Sequence, residues 1–363
     1  MQALRIYAGP KARTLLNREG LQAQNVRLVP GAAGGPKGLI LGPLDRFLFG
    51  EWLPLSTQPV HLVGASIGAW RMATACLDDS VQAFERLEHD YIHQHYETPP
   101  GQKHPTPDQV SEEFGKNLRQ FYGGRVGEVL HHPRYRLHII TSRGRHMLHR
   151  ERKLTTPLGY LGAFLTNSVH RKALGAWLER VVFSTGVAEL HVELPFGVSD
   201  FRTRRVALTP ANFDMALQAS CSIPFLLRSV NQIPGAPPGA YWDGGLTDYH
   251  LHLDYRHLCS DDGLVLYPHF QKSIVPGWLD KGLKWRHGST HFLDNAVVLA
   301  PDPAWIKTLP NGKLPDRTDF TRYGNDLAGR VKAWTGAVSQ ANQLADELQA
   351  WLHKPDMNRL EAL

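Results

Sequence analysis

One serine of this 363-residue chain stands in a pattern that is typical of enzyme nucleophiles. Ser66 lies between Gly64 and Gly68 in G-A-S-I-G, with the apolar segment H-L-V-G before it and the helix-forming segment A-W-R-M-A-T-A-C-L after it. Small residues at these two positions let neighbouring backbone pass closely where a strand turns sharply into a helix, whose positive end then points at the hydroxyl. The pattern predicts that Ser66 attacks an acyl carbon. A small-residue turn that only packs a helix against a strand is the alternative.

A glycine-rich loop lies upstream of this serine, between a predicted strand and a predicted helix. It consists of Gly34, Gly35, Pro36, Lys37 and Gly38. Backbone amides in such a loop favour negative charge. A nucleotide phosphate fits poorly, because the lysine lacks the glycine before it and the serine or threonine after it that a phosphate loop needs. We therefore expect an oxyanion hole in which Gly34 and Gly35 donate, since Pro36 has no N–H.

A nucleophilic serine needs a base, and one acid stands out as the candidate. Asp243 ends a predicted strand in the segment Y-W-D-G-G, and Gly244 and Gly245 turn the chain after it. Burial beside Trp242 would make this carboxylate more basic, so that it could take the serine proton directly. None of the 19 histidines stands in an order that marks it as the base. An ordinary Asp-Gly turn is the alternative.

Two histidines allow a different chemistry. His250 and His252 would point the same way on a strand, with Asp254 in line, and two imidazoles with a carboxylate could hold Zn²⁺. A metal-dependent hydrolase is therefore an alternative function. Surface or hydrogen-bonded histidines would produce the same spacing, and we expect neither a metal nor another cofactor.

Apolar segments of strand character alternate with helical patterns along the chain, which predicts an α/β sheet covered on both faces. A helix is expected at 171–183, and a long helix at 327–352 carries an apolar stripe that should dock on the core. Strands are expected at 25–30, 61–65, 136–141, 189–194, 205–208, 241–245, 263–267 and 296–300. A proline-rich loop is expected at 98–107.

Composition excludes several classes of protein. The chain is 42% hydrophobic with a formal net charge of +6, and it has no apolar run long enough for a membrane span and no secretory signal pattern. Its cysteines, Cys76, Cys221 and Cys259, are too scattered for a disulfide framework. We expect a cytoplasmic protein with at most peripheral, transient contact with membranes. The basic cluster at 143–153 is expected to be a solvated loop, so no nucleic-acid partner is expected.

In their order along the chain, the glycine loop, the serine turn and the D-G-G segment resemble the patatin-like phospholipase family. That family shares a G-G-x-R/K-G loop, a G-x-S-x-G turn and a D-G-G or D-G-A segment, and here the acid follows the serine by 177 residues. The resemblance covers about residues 25–250. It implies a three-layer α/β/α fold with a mostly parallel sheet, and a lipid acyl hydrolase with a Ser66–Asp243 dyad and no histidine. Gly34 and Gly35 would supply the oxyanion N–H groups.

The resemblance assigns supporting roles to the remaining motif residues, Lys37, Gly38, Gly64, Gly68, Gly244 and Gly245. Three departures leave the substrate preference of the loop open: Ala33 replaces a frequent glycine, Lys37 replaces the commoner arginine, and Pro36 stiffens the loop. The outcome of the reaction is open too. An acyltransferase would use the same dyad, and a non-catalytic lipid-binding protein would keep the fold.

We expect a single domain over residues 1–363. Within it, the apolar insert at 151–183 is a candidate lid over the acyl-chain site, and 303–363 is expected to be a helical extension. A lipid or another ester is the expected substrate, while its head group and acyl length are not indicated by any motif.

Overall fold

The strands of this protein form one mixed sheet. A computed structural model describes residues 2–96, 105–186, 193–258 and 262–363, and within these ranges ten strands share the sheet. They are β1 (Leu4–Ala8), β2 (Val26–Gly31), β3 (Val60–Ala65), β4 (Tyr135–Gly144), β5 (Leu178–Ser184), β6 (Thr203–Ala207), β7 (Tyr241–Asp243), β8 (Leu264–Pro268), β9 (Ala296–Pro301) and β10 (Leu360–Ala362). The strand order is β10-β1-β9-β8-β2-β3-β4-β5-β6, and β7 also pairs with β4. The sheet is mostly parallel, as predicted.

The central strands are buried because they are apolar on both faces. Every residue of β8 and β9 is buried, and in β2 and β3 only Arg27 and His61 are partly exposed. Valine- and leucine-rich runs of this kind suit parallel strands that are covered on both sides. Within the described ranges, antiparallel pairing involves β1 with β9 and β4 with β5 and β7.

Helices cover the sheet and complete the three-layer α/β/α fold. The described helices are α1 (Pro10–Glu19), α2 (Gly42–Phe47), α3 (Ile67–Thr74), α4 (Ser80–His93), α5 (Pro107–Tyr122), α6 (Val126–Leu130), α7 (Thr155–Val169), α8 (Phe213–Cys221), α9 (Gly245–Asp248), α10 (Pro303–Ile306), α11 (Thr318–Tyr323) and α12 (Leu327–His353). A 3₁₀ helix, Gly35–Leu41, precedes α2. Among the described helices, none combines the length and the apolar character needed to cross a membrane.

Side-chain caps mark where two long helices begin. Thr106 and Gln109 form a reciprocal capping box before α5. The Asp326 carboxylate accepts a hydrogen bond of 2.9 Å from the Gly329 N–H at the start of α12. The predicted apolar stripe of α12 is buried and comprises Trp334, Val338, Ala341, Leu344, Leu348 and Trp351.

Two regions differ from the sequence-based expectation. The helix predicted at 171–183 is wrong, because a 3₁₀ turn at Arg171–Ala176 leads into β5, whose seven residues are all buried. The β-branched pair Val181 and Val182 favours an extended chain once both faces of the strand are covered. The C-terminal region is not purely helical either, since β10 pairs with β1 in the sheet.

Other elements were not predicted or fall outside the described residues. No expectation covered β1, α1, α5 or β10. Helix α5 begins at Pro107, within the expected loop, because proline suits the first turn of a helix. Most of the loop expected at 98–107 and of the strand expected at 189–194 lies outside the described ranges.

The ends of β3 and β7 meet beside β4. Ala65, the last residue of β3, pairs with Ile140, and Asp243, the last residue of β7, pairs with the adjacent Thr141. Because β3 runs parallel to β4 and β7 runs antiparallel to it, the two carboxyl ends point at each other. The residue after Ala65 therefore faces Asp243, and that residue is the predicted nucleophile, Ser66.

Candidate active site

Ser66 occupies the sharp turn between β3 and α3. Its backbone has a φ of 58° and a ψ of −131°, a conformation that residues other than glycine rarely adopt. The turn depends on its glycines: a Cβ on Gly68 would lie 1.8 Å from the Gly31 carbonyl oxygen, and one on Gly64 would lie 2.3 Å from Ala69 Cα. The G-x-S-x-G spacing therefore reflects close approach of backbone to backbone.

The predicted nucleophile and the predicted base are in direct contact. Ser66 Oγ donates a hydrogen bond of 2.7 Å to Asp243 Oδ2. The second carboxylate oxygen, Oδ1, accepts a hydrogen bond of 2.7 Å from the Gly245 N–H. Both residues of the pair are buried. One carboxylate oxygen is thus held by the backbone, and the other is directed at the hydroxyl.

The surroundings of Asp243 make it a stronger base than an aspartate in water. Burial raises its pKa, against the hydrogen bond from Ser66 and the fields of Arg317 and Lys281, which lower it. In the described part of the chain its side-chain hydrogen-bond partners are Ser66 and Gly245. A desolvated carboxylate with no cation bound to it is suited to accept the hydroxyl proton.

A second serine holds the nucleophile turn in place. Ser220, in α8, accepts a hydrogen bond of 3.0 Å from the Ser66 N–H and donates one of 2.7 Å to the Ile140 carbonyl. Its own carbonyl accepts a hydrogen bond of 3.1 Å from the Gly244 N–H. Ser220 therefore connects the nucleophile, β4 and the segment after the base. We did not predict this role, because its partners are remote in sequence.

The glycine loop reaches the same place from the end of β2. Gly34 lines the cavity in front of Ser66 and Asp243, and Gly35 begins the 3₁₀ helix with a φ of 58°. A side chain is excluded at Gly34, where a Cβ would lie 2.6 Å from the Phe270 ring. Among the described residues, neither the Gly34 N–H nor the Gly35 N–H has an acceptor. An oxyanion would require such free amides, and of these two glycines Gly34 lines the cavity.

The supporting motif residues serve the packing around the pair. A Cβ on Gly244 would lie 2.1 Å from the Ile140 carbonyl oxygen, and one on Gly38 would lie 3.2 Å from the Ile67 side chain. Lys37 does not contact the dyad. Its Nζ lies near an aromatic ring, at 5.3 Å from the centroid.

A cavity of about 270 Å³, including its open mouth, lies in front of the dyad. Besides Gly34, Ser66 and Asp243, its lining residues are Ala33, Ile223, Pro224, Leu246, Tyr249, Trp278 and Arg317. The wall is thus mostly apolar and carries one guanidinium group. Trp278 and Arg317 lie beyond residue 250, outside the span of the family resemblance, so neither was predicted.

The alternative metal site at His250, His252 and Asp254 is not assembled. These residues do not form the expected strand, because Leu251 has a φ of 47° and turns the chain. His250 is buried, and the Asp254 carboxylate is bound by Arg256 at 2.6 Å. Within the described ranges, no three His, Cys, Asp or Glu side chains are grouped so that they could hold a metal ion.

Two comparisons of the sequence with known proteins found no relative. The sequence matches no known protein family. It also matches no curated protein.

Proposed function

We propose that this protein is a serine lipid acyl hydrolase of the phospholipase A or carboxylesterase type. The observation that carries the proposal is the 2.7 Å hydrogen bond from Ser66 Oγ to Asp243 Oδ2, at a cavity that is also lined by Gly34 of the glycine loop. A nucleophile, a base and oxyanion donors are the parts that ester hydrolysis needs. The resemblance of the three motifs to patatin-like phospholipases favours the same reaction.

The reaction begins with acylation of the serine. Ser66 Oγ attacks the ester carbonyl carbon while its proton moves to Asp243 Oδ2. The carbonyl oxygen becomes an oxyanion and accepts hydrogen bonds from the Gly34 and Gly35 N–H groups. When the bond to the alcohol oxygen breaks, Asp243 returns the proton to that oxygen. The acyl group stays on Ser66.

Deacylation repeats these steps with water. Asp243 accepts a proton from the water molecule that attacks the acyl-serine, and a second oxyanion forms at the same amides. The carbon–Oγ bond then breaks, the proton returns to Ser66, and the carboxylic acid leaves. An alcohol that took the place of water would instead receive the acyl group, so product analysis with an added acceptor distinguishes transfer from hydrolysis.

The surface of α7 supports a lipid as the substrate. This helix has no charged residue in its 15 positions. Its large apolar side chains are 42–87% exposed, namely those of Leu158, Leu161, Phe164, Leu165 and Val169. Phe225 and Leu226, which directly follow the cavity residue Pro224, are also about half exposed. An apolar surface of this kind is typical of contact with a lipid or an apolar partner.

Two ring contacts connect α7 to the site. The Tyr160 ring lies 5.8 Å from the Phe225 ring and 6.0 Å from the ring of Trp242, the neighbour of the base. Exposed basic residues flank the helix at Arg152, Lys153, His170 and Lys172. We infer that α7 contacts lipid next to the cavity, with basic ends that suit an anionic bilayer surface.

A chain-length series tests the catalytic proposal. Esters from C2 to C16 and a phospholipid would be assayed with the wild type, Ser66→Ala and Asp243→Asn. We expect each substitution to lower turnover by ~10³-fold or more, because each removes a group that acts on the reacting atoms. Ser339→Ala and Asp346→Asn, at exposed positions of α12, are matched controls. Equal activity in all five proteins would exclude the dyad.

The role of α7 has a test of its own. Leu161→Asp and Phe164→Asp place charge on its exposed face, so we expect both to lower activity on long-chain esters by ~10-fold relative to butyryl esters, with the unfolding temperature retained. Vesicle co-sedimentation should fall in parallel. Unchanged long-chain activity and vesicle binding would remove α7 from lipid contact but would not affect the dyad.

A further inference from the structure

Three basic residues, which we call the cationic border, lie around the cavity: Lys37, Lys281 and Arg317. Arg317 lines the cavity together with Ser66. A Cβ on Gly35 would lie 3.2 Å from Arg317 Nε, so the guanidinium lies directly against the glycine loop. Positive charge is therefore present where the substrate carbonyl would bind.

The two lysines are held by aromatic rings. Lys281 Nζ lies 4.1 Å from the centroid of the Tyr249 ring, which lines the cavity. Lys37 Nζ lies 5.3 Å from the centroid of the Phe270 ring, which packs against Gly34. A ring face attracts an ammonium group without neutralising it, so both charges remain available to a ligand.

No carboxylate within the described ranges forms an ion pair with the cationic border, although acids serve other basic residues nearby. Lys313 pairs with Asp316 at 2.7 Å, and Arg286 pairs with Asp280 at 2.8 Å. The cavity lining includes one carboxylate, Asp243, and its Oδ2 accepts a hydrogen bond from Ser66 Oγ. Within the described ranges the cationic border therefore has no directly bound carboxylate, and Asp243 acts on Arg317 and Lys281 only through its field.

The cations of the border repel one another, although Arg317 and Lys281 are exposed to solvent, which weakens the repulsion. Burial, followed by repulsion from Arg317 and Lys37, lowers the pKa of Lys281 to about 8. Burial also lowers the pKa of Lys37. A bound anion would relieve the repulsion, and the planar guanidinium can form two parallel hydrogen bonds to a phosphate or carboxylate.

Resting on the hydrolase proposed above, we propose that Arg317 and Lys281 form an anion-binding subsite and that the preferred ester carries a phosphate or carboxylate group in its alcohol part. The apolar wall at Ile223, Pro224 and Leu246 suits the acyl chain. The anionic group would then bind Arg317 and Lys281, next to the ester bond that breaks. Selectivity for charge would come from a segment that carries none of the three motifs.

Soluble esters test this subsite without a lipid surface. Butyryl esters of glycerol 3-phosphate, of glycerate and of glycerol share the acyl group and differ in charge. We expect Arg317→Gln and Lys281→Gln each to lower the ratio of kcat/KM for anionic over neutral ester by ~10-fold, mainly through KM, because one charged hydrogen bond is lost. The larger loss, with the phosphate or with the carboxylate, identifies the anion.

The controls remove the same charges outside the cavity. Arg322→Gln and Lys284→Gln change exposed residues and should leave the ratio as in the wild type. Arg317→Gln and Lys281→Gln could instead lower kcat/KM equally for all three esters and move the loss of activity at acidic pH to a higher pH. In that case the cations only lower the pKa of Asp243, and the subsite is excluded.

A binding measurement separates the subsite from the proposed hydrolysis. Glycerol 3-phosphate would be titrated into Ser66→Ala by calorimetry, where no turnover is needed. We expect binding that weakens ~10-fold on adding Arg317→Gln. If Arg317→Gln leaves the affinity for glycerol 3-phosphate unchanged, or if no binding is detected, the subsite is excluded whether or not the wild type cleaves esters. Binding as expected with no ester cleavage would overturn the hydrolase alone.

Discussion

Asp243 lies two residues before α9 and Asp248 is the last residue of that helix, and both are buried, with 6% and 1% of their surface exposed. Their partners differ. Arg180 donates two hydrogen bonds to Asp248, of 2.7 and 2.6 Å, and also binds Asp200. Asp243 accepts hydrogen bonds from a hydroxyl and from a backbone amide.

Because both carboxylates are buried, the difference between them lies in their partners. The Arg180 guanidinium binds both oxygens of Asp248, so this carboxylate is part of a buried ion pair and its role is structural. Neither described partner of Asp243 neutralises it, and the proton of one partner can move to it. Asp248 is therefore held in an ion pair, whereas Asp243 lies next to a hydroxyl whose proton it can accept.

The largest effect should follow from removing Arg180, the cation that binds Asp248. Arg180→Met leaves Asp248 and Asp200 without their counter-charge, so we expect a loss of ~3–5 kcal/mol in the free energy of unfolding, measured by urea denaturation. Adding Asp248→Leu should restore more than half of it, since an apolar pair replaces a broken ion pair. A loss below ~1 kcal/mol would contradict the structural role.

Moving the hydroxyl away from Asp243 should have the next largest effect. Ser220→Ala removes the hydrogen bonds to the Ser66 N–H and the Ile140 carbonyl. We expect kcat/KM to fall ~10–100-fold. Ser222→Ala is the matched control, because its hydroxyl bonds only to the Gln218 carbonyl among described residues. Equal rates for both variants would show that the turn positions Ser66 without help.

The pH dependence of kcat/KM should reflect the ionisation of Asp243. Asp243 must be ionised to accept a proton, and its pKa is raised, so activity should be lost on acidification at a higher pH than for an ordinary aspartate, whose pKa is about 3.9. Below that point kcat/KM should fall tenfold per pH unit. An acid limb at or below pH ~4 would contradict the effect of burial.

The smallest effect concerns stability. A raised pKa means that the charged form of Asp243 costs free energy in the fold, and this cost is present above its folded pKa and disappears as the pH falls below the unfolded value. We therefore expect Asp243→Asn to raise the free energy of unfolding at pH 7, and by less near pH 4. Asp248→Asn should lower it at pH 7. If both variants changed the free energy of unfolding in the same direction, the proposed difference between the two carboxylates would be wrong.

The candidate site could be predicted from the sequence where the structural requirement is local. Gly64 and Gly68 permit one tight turn, and the strand ends around Ser66 and Asp243 follow from short apolar runs. Ser220 and Arg317 could not be predicted, because their roles arise from contacts across the sheet. The segment at 178–184 was misassigned, since a fully buried strand shows no alternation that separates it from a buried helix.

The backbone of Ser66 bears on any effort to improve this protein in the laboratory. A φ of 58° is strained for serine and relaxed for glycine, so Ser66→Gly should resist heating better than the wild type. Libraries screened for thermal resistance alone would therefore enrich a substitution that removes the proposed nucleophile. Each round of such a screen needs a parallel assay for ester cleavage.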